Sequence, residues 1–357
     1  MREPRDPADT HSHVIASLSV TDSAAPAEIA EHRLSIVIPV YQGERTLYGV
    51  LDEIEPLTAT QTTPDGYQFA VEEVLLVFDH GPDNSARIIR ELSAKYPFAR
   101  AIWLSKNFGQ HAATLAGMAS SGGDWIVTLD EDGQHDPAAI AGLLDTAMRE
   151  QAHVVYAKPT NAPPHGAVRN GASKAAKGIL TRLSGSSSAV DYQSFRLILG
   201  NIGRSVAAYA GSGVYLDVAI GWVASRVVTS PVELRSEGER RSGYSARRLF
   251  SHFWSMILTT GTRGLRLVSV LGVLMALLGA LVAVVIFIQR LTGGIAIQGW
   301  ASLSVIVLLT SGFILFSLGV IAEYIGINVN MAMGKPPYLI TTDPADGPLG
   351  RARKATR

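Results

Sequence analysis

The sequence predicts an α/β domain with a mostly parallel sheet, followed by a juxtamembrane amphipathic helix and two transmembrane helices. Over the first two thirds of the chain, short runs rich in β-branched residues alternate with segments of helical spacing, which is typical of βαβ units. Two long uncharged apolar runs then follow in the last third. Each run is long enough to cross about 30 Å of hydrocarbon as a helix.

The composition excludes several classes of function. Lys plus Arg (31) equals Asp plus Glu (31), so no net charge favours nucleic acid as a partner. The chain has no cysteine, which excludes disulfides, thiolate metal sites and a cysteine nucleophile.

The α/β pattern extends from residue 34 to residue 234, after an Ala- and Pro-rich segment, residues 1–33, that we expect to be a disordered tail. The predicted helix at 111–120 is rich in Ala and Gly, which would let it pack closely on the sheet. Strands are predicted at 34–40, 72–78, 101–104, 125–129, 153–157 and 226–234, and helices at 46–57, 86–95, 111–120, 137–150 and 169–183.

Three acids follow the apolar strand 125–129 directly: Asp130, Glu131 and Asp132. Ligands bind at the carboxyl ends of the strands in an open α/β sheet. Two carboxylates one residue apart at that position can direct oxygens at one hard cation. The alternative is a solvated acidic turn.

Polar loops after three predicted strands converge on the same edge: residues 41–44, Asp79 and residues 130–134. This arrangement favours a nucleotide site. The sequence contains no Gly-x-Gly-x-x-Gly after the first strand and no Walker motif, so phosphate charge would have to be met by a metal and by basic side chains.

The predicted helix 169–183 carries four basic residues, and two readings of them stay open. They form a solvated face, or they meet anionic headgroups or an acceptor phosphate. The four residues are Arg169, Lys174, Lys177 and Arg182.

The membrane part is predicted as residues 235–266 (juxtamembrane loop and amphipathic helix), 267–322 (a two-span hairpin) and 323–357 (a tail). Basic residues cluster before the first span and after the second, whereas the connecting loop carries only Arg290. The positive-inside rule therefore places the α/β domain and both termini in the cytoplasm, and we expect a multi-pass protein of the inner (plasma) membrane.

Several motifs together resemble one known family. The segments are PVYQGE (39–44), LSKNFGQHAATLAGM (104–118), LDEDGQHDP (129–137), DYQSFR (191–196), RRSGYS (240–245), AEYIGI and KPPYLI. In this order they resemble the membrane-bound polyprenyl-phosphate glycosyltransferases of glycosyltransferase family 2, in the bacterial two-span type. Dolichol-phosphate mannose synthase is the eukaryotic relative. The resemblance covers residues 34–340 and implies a GT-A type, Rossmann-like domain.

The resemblance implies an inverting transfer of a sugar from a nucleotide diphosphate donor to polyprenyl phosphate, with Mg or Mn. It assigns three groups of residues. Donor-binding residues are Pro39, Tyr41, Glu44, Asp79, Gln134 and Lys158; metal ligands are Asp130 and Asp132; residues beside the reacting sugar and the phosphates are the catalytic Asp191, Arg196 and Arg241 and, for the acceptor phosphate, Arg169 and Ser245.

A phosphate monoester is already a nucleophile at neutral pH, so the main tasks are alignment and stabilisation of the leaving diphosphate. Asp191 is therefore either a base or a group that orients a sugar hydroxyl or an arginine. Three departures from the family pattern bear on donor binding: Phe78-Asp79-His80 replaces a pair of acids followed by Gly-Ser, Glu131 stands where alanine is common, and Lys158 stands where arginine is frequent.

The donor is expected to be a uridine-diphosphate hexose, with guanosine-diphosphate mannose as the alternative. A processive polysaccharide synthase is disfavoured, because the Gln-x-x-Arg-Trp motif is missing and two spans offer no evident channel. A catalytically silent scaffold is disfavoured by the retained acids. The expected partners are the donor, the acceptor, the lipid bilayer and further copies of the chain in a homotetramer.

Overall fold

The computed structural model describes residues 31–161, 192–235 and 299–348, together with isolated residues between 268 and 291. The strands are β1 (His32–Val40), β2 (Gln61–Thr62), β3 (Gln68–Phe78), β4 (Ala99–Leu104), β5 (Trp125–Thr128), β6 (Val154–Pro159), β7 (Arg196–Leu199), β8 (Val227–Val232) and β9 (Ile340–Thr341). The α-helices are α1 (Leu47–Ile54), α2 (Ser85–Lys95), α3 (Gln110–Ala119), α4 (Ile140–Glu150), α5 (Gly200–Tyr209), α6 (Leu216–Val223) and α7 (Trp300–Ala332).

The nine strands form one mixed sheet in the order β8-β6-β7-β5-β1-β3-β4-β9, with β2 paired to β3. Pairing is parallel for β1 with β3 and β5, for β3 with β4, and for β6 with β8. The strand β7 runs antiparallel to both β5 and β6. The predicted α/β class is confirmed, and all six predicted strands are present with small shifts of their ends.

The central strand β1 marks a change of direction in the winding of the sheet. The chain passes from β1 to β3 and β4 on one side, and then returns to add β5 on the other side of β1. Such a switch point opens a crevice between the loops that leave the two strands. The loops after β1 and after β5 therefore lie next to each other.

Helices cover both faces of the sheet, and the alternation of side chains along β1 shows why both are apolar. Ile36 and Ile38 belong to a buried cluster with residues of α1, α2 and α4. Val37 belongs to a second cluster with residues of α3, α5 and α6. The continuous apolar run of β1 is thus explained by burial on both sides.

The small residues of α3 allow the close packing that the sequence predicts. A Cβ atom built on Gly117 would lie 2.3 Å from Cγ1 of Val37 and 3.0 Å from Cγ2 of Val77. The backbone of α3 therefore lies directly on β1 and β3.

The strand β7 and the edge strand β9 are not foreseen by the sequence. β9 pairs antiparallel with β4 through Trp103 and Thr341, and Leu104 and Ile340. The guanidinium of Arg90 donates to both carboxylate oxygens of Asp343 at 2.5 and 2.6 Å. Part of the predicted tail 323–357 is consequently built into the sheet.

The helix α7 has 33 residues and is about 50 Å long. Within it, Leu309–Ala332 is long and apolar enough to cross a membrane by length and composition, with a mean hydropathy of 1.7. The helix overlaps the second predicted span and continues ten residues beyond its predicted end at residue 322. Twelve residues between 268 and 288, in the first part of the predicted hairpin 267–322, are described, and all of them are helical. The helix predicted at 169–183 and the amphipathic helix predicted within 235–266 lie outside the described residues.

We predict that Gly117→Ala destabilises the protein whereas Gly142→Ala does not. The new methyl group at residue 117 would overlap Val37, at a cost of about 1–3 kcal/mol. Gly142 lies exposed in α4 with no atom within 4 Å of a built Cβ, so the same change there should stabilise the helix by up to about 1 kcal/mol. The measurement is the Tm of the purified full-length protein in detergent; an equal rise of Tm in both variants would contradict the packing of α3.

Candidate active site

The crevice at the switch point is lined by the loops after β1, β3 and β5, as the sequence predicts for three parallel strands. The backbone N–H of Asp79 donates to the carbonyl of Val40 at 2.8 Å, and the backbone N–H of Gly43 donates to Oγ of Ser85 at 2.8 Å. These contacts bind the loop after β1 to the N-terminus of α2. The three loops therefore form one connected surface.

Asp130 is half-buried and follows the last residue of β5, Thr128, by two positions. Each of its carboxylate oxygens accepts a hydrogen bond from a neutral side chain. Nε2 of Gln110 donates to Oδ1 at 2.7 Å, and Oγ of Ser194 donates to Oδ2 at 2.5 Å. Each oxygen keeps a second lone pair. The carboxylate is thus oriented from two sides and retains capacity to bind a cation.

Asp132 and Gln134 lie in the same half-buried turn. Oδ1 of Asp132 accepts from the backbone N–H of Gln134 at 3.0 Å. The carbonyl of Gln134 accepts from the backbone N–H of Arg235 at 3.1 Å, and the Arg235 guanidinium also pairs with Glu53 and Asp136. The turn is therefore held from both of its ends.

Glu131, between the two aspartates, is directed toward the loop after β1. Its Oε2 accepts from the backbone N–H of Tyr41 at 2.7 Å, and its Oε1 accepts from the backbone N–H of Gln42 at 2.8 Å. The Glu131 carboxylate therefore forms a contact between the loops after β1 and β5.

The predicted donor-binding residues of the first loop have distinct environments. Pro39 is buried within β1, which ends at Val40 as the sequence predicts. Tyr41 is 42% exposed. The carboxylate of Glu44 accepts from the side chain and the backbone of Asn84, and the hydrogen bond from the Asn84 side chain lowers the pKa of Glu44.

Asp79 is buried, and both of its carboxylate oxygens are used within the protein. They accept from the backbone N–H groups of Phe108 and Gly109 at 2.7 and 2.8 Å. Burial raises the pKa of Asp79, and the two amide hydrogen bonds oppose this effect. Asp79 thus shapes the loop that leads into α3, and its predicted contact with the donor stays a prediction.

The unusual residues after Asp79 have a structural explanation. His80 adopts a positive φ of 51° and its Nε2 lies 2.6 Å from the carbonyl oxygen of Leu104. A Cβ atom on Gly81 would lie 1.4 Å from the carbonyl oxygen of Tyr41. Only glycine therefore allows the loop after β3 to approach the loop after β1 this closely.

Arg196, predicted among the catalytic residues near a phosphate, is instead buried in β7 and engaged in an ion pair. Its guanidinium contacts the carboxylate of Asp217 and donates through Nε to Oγ1 of Thr128 at 3.1 Å. The hydroxyl of Tyr156 donates to the same carboxylate at 2.9 Å. These contacts suit a residue that stabilises the position of neighbouring elements of the site.

A small cavity adjoins this ion pair and is lined by Tyr156, Tyr192, Asp217, Gly221 and other residues of α6. Burial and the nearby charge of Asp217 raise the pKa of Tyr192 to about 12. Both tyrosines therefore remain protonated at neutral pH.

The remaining predicted site residues are Lys158 and four residues that lie outside the described ranges. Lys158 is exposed in β6 and is paired in register with Pro231. Four other predicted site residues lie outside the described ranges: Arg169, Asp191, Arg241 and Ser245.

Two residues that contact Asp130 are absent from the sequence prediction. Gln110 lies in SKNFGQ and Ser194 lies in DYQSFR, two segments that carry the family resemblance. Membership of these segments is the sequence feature that could have identified both residues. No cluster of three or more His, Cys, Asp or Glu side chains suited to a metal occurs in the described ranges.

Comparison with known proteins places this geometry in a family. The family model of Glycosyl transferase family 2 matches residues 35–203. The undecaprenyl-phosphate 4-deoxy-4-formamido-L-arabinose transferase of Edwardsiella ictaluri is 29% identical over 311 residues, covering 86% of this chain and 93% of that protein. The uncharacterized glycosyltransferase YkcC of Bacillus subtilis is 29% identical over 308 residues, covering 86% and 92%.

Two solved structures also overlap with part of the chain. Glucosyl-3-phosphoglycerate synthase of Mycobacterium tuberculosis has a TM-score of 0.46 and 18% identity, covering 65% of this chain and 80% of that one. Mannosyl-3-phosphoglycerate synthase of Rubrobacter xylanophilus has a TM-score of 0.45 and 16% identity, covering 66% and 74%.

The matched residues include β1, β3, β4, β5 and the loops that carry the acids. The chain is an enzyme whose residues 35–203 match Glycosyl transferase family 2.

Proposed function

We propose that this enzyme transfers a sugar, with inversion, from a nucleotide diphosphate donor to a polyprenyl phosphate at the cytoplasmic face of the inner membrane. One observation carries the proposal: the segment that follows the candidate membrane span pairs with the carboxyl end of β4, at the edge of the sheet where the acids lie. A water-soluble donor and a lipid-borne acceptor can both reach that edge.

The path of the chain after α7 supports this arrangement. Eight peptide units separate Ala332 at the end of α7 from Ile340, and they can bridge at most about 28 Å. Ile340 pairs with Leu104 at the carboxyl end of β4, and the backbone N–H of Ser105 donates to the carbonyl of Leu339 at 2.9 Å. The end of α7 is therefore tethered on the side of the sheet where the acids lie.

A second contact is independent of this tether. A Cβ atom on Gly211 would lie 3.0 Å from Cε of Met331 near the end of α7. Gly211 follows α5, which starts beside the first residue of β5 and returns toward the acidic edge. Gly211 thus lies beside the end of α7, and β4 pairs with the segment that follows α7.

The names of the relatives support the acceptor class. The Edwardsiella ictaluri and Klebsiella pneumoniae relatives are both named for the use of undecaprenyl phosphate. The alignment with each covers 86% of this chain, which takes in most of the segment that follows the catalytic domain.

Asp130 and Asp132 fit a divalent cation, because both are hard carboxylate ligands at the switch point and Asp130 is held in place by Gln110 and Ser194. When bound, Mg²⁺ or Mn²⁺ would neutralise the negative charge on the leaving nucleoside diphosphate. Gln134 lies beside Asp132 in the same turn and would contact the diphosphate.

The protein's own contribution is to align the reacting groups. Tyr41 and Glu44 would hold the base and ribose, while Asp79 keeps the neighbouring loop in position. An acceptor phosphate is already ionised and needs little base catalysis, so orientation supplies much of the rate. Asp191 would act as a base or an orienting group. The basic residues Lys158, Arg169 and Arg241, together with Ser245, would contact the phosphates, and Arg196 would support the crevice through Asp217.

The donor and the assembly belong to the same proposal. We propose a uridine-diphosphate hexose as donor, with guanosine-diphosphate mannose as the alternative, and a homotetramer with two spans per chain. Phe78 and His80 depart from the family pattern and flank Asp79 next to the expected base site. They would influence whether a uridine or a guanosine diphosphate sugar is bound.

We predict that membranes containing the protein use only one of three radiolabelled nucleotide sugars when polyprenyl phosphate is added. The label from that donor should enter a lipid product that organic solvent extracts. The panel is UDP-glucose, UDP-N-acetylglucosamine and GDP-mannose, each with Mg²⁺, Mn²⁺ or EDTA. Label that stays in the aqueous phase with every donor, or that enters polymer instead of lipid, would contradict the proposed acceptor.

We predict that Asp132→Ala slows turnover by about a hundredfold or more, since roughly 3 kcal/mol of charge stabilisation at the diphosphate is lost. The control is Asp124→Ala, at the opposite end of β5, where Asp124 pairs with Arg33. This control should retain activity. Both variants should insert into membranes like the parent protein, and full metal-dependent activity of Asp132→Ala would remove the site assignment.

A further inference from the structure

Glu131 occupies an unusual position for a residue between two candidate metal ligands. Its two carboxylate oxygens accept hydrogen bonds from consecutive backbone N–H groups, those of Tyr41 and Gln42. Contacts from two amides to one carboxylate are charge-assisted and short. The side chain therefore binds the start of the loop after β1.

The main chain of Glu131 binds the end of the same loop. Oγ1 of Thr46, the residue before α1, donates to the carbonyl oxygen of Glu131 at 2.5 Å. A Cβ atom on Gly43 would lie 3.1 Å from Oε2 of Glu131 and 2.8 Å from Cγ of Leu47. The absence of a side chain at residue 43 gives the carboxylate room to reach the amides.

These contacts join two segments that the proposed function assigns to different parts of the donor. We name residues 41–46 the nucleoside loop and residues 129–136 the metal loop. Glu131 belongs to the metal loop and contacts the nucleoside loop at both ends. The position of Tyr41 and Glu44 is consequently fixed relative to Asp130 and Asp132.

We infer that Glu131 is a positioning residue that locks the nucleoside loop to the metal loop and so presents the donor with a preformed crevice. The inference rests on the proposed function. Preorganisation strengthens binding because less loop entropy is lost when the ligand arrives. Alanine, which is common at this position in the family that the chain resembles, would leave the two amides without this partner.

The direct test is hydrogen exchange of the full-length protein in detergent, comparing Glu131→Ala and Glu131→Gln with the parent. Exchange at the amides of Tyr41 and Gln42 should accelerate in both variants, and more strongly in Glu131→Ala. Glu91→Ala is the matched control, because Glu91 is a surface carboxylate paired with Arg87 and Tyr48. This control should leave exchange in the nucleoside loop unchanged.

The functional test is the affinity for UDP and GDP, measured with Mn²⁺ and with EDTA. Loss of Glu131 should weaken binding of the nucleotide that the parent protein binds. The affinity should fall by about tenfold, the equivalent of one charge-assisted hydrogen bond, both with Mn²⁺ and with EDTA. A loss confined to Mn²⁺, with unchanged exchange, would make Glu131 a metal ligand and overturn the inference. If the parent binds neither nucleotide, the proposed function fails, and hydrogen exchange alone decides whether the two loops are locked.

Discussion

The parallel pairing of β1 with β3 on one side and with β5 on the other is the constraint on which the rest of the structure depends. It buries β1 on both faces and forces the loops after β1 and β5 to leave the sheet side by side. The acids and the expected nucleoside contacts are therefore neighbours in space although about 90 residues separate them in the chain. Glu131 and Thr46 then convert this proximity into a fixed geometry.

A second constraint concerns the membrane. The last described strand, β9, belongs to the segment after the candidate span, yet it completes the edge of the catalytic sheet. The Arg90–Asp343 ion pair and the ring of Trp103, 4.7 Å from the Arg90 guanidinium carbon, strengthen that edge. The segment that follows α7 is therefore built into the edge of the catalytic sheet.

The sequence predicts the part of the fold that local pattern controls. The apolar runs ending at Val40, Phe78 and Leu129, and the polar loops that follow them, are visible as patterns. The strand β9 has only two residues and gains stability from a partner more than 200 residues away, so no local signal marks it. The burial of Arg196 depends on Asp217 in α6, and the direction of Glu131 depends on amides after β1. Such contacts follow from tertiary packing rather than from spacing.

After α7, the chain returns to the acidic edge of its own catalytic domain. Ser105 and Leu339 lie opposite each other where the ladder of β4 and β9 continues, at a Cβ separation of about 5 Å, and the chain has no native cysteine. The double variant Ser105→Cys/Leu339→Cys, oxidised in membranes, should form a disulfide within one chain. Mass spectrometry of material of monomer size should then detect the two linked peptides. Unlinked cysteines in active protein, or linkage only between chains, would contradict the account.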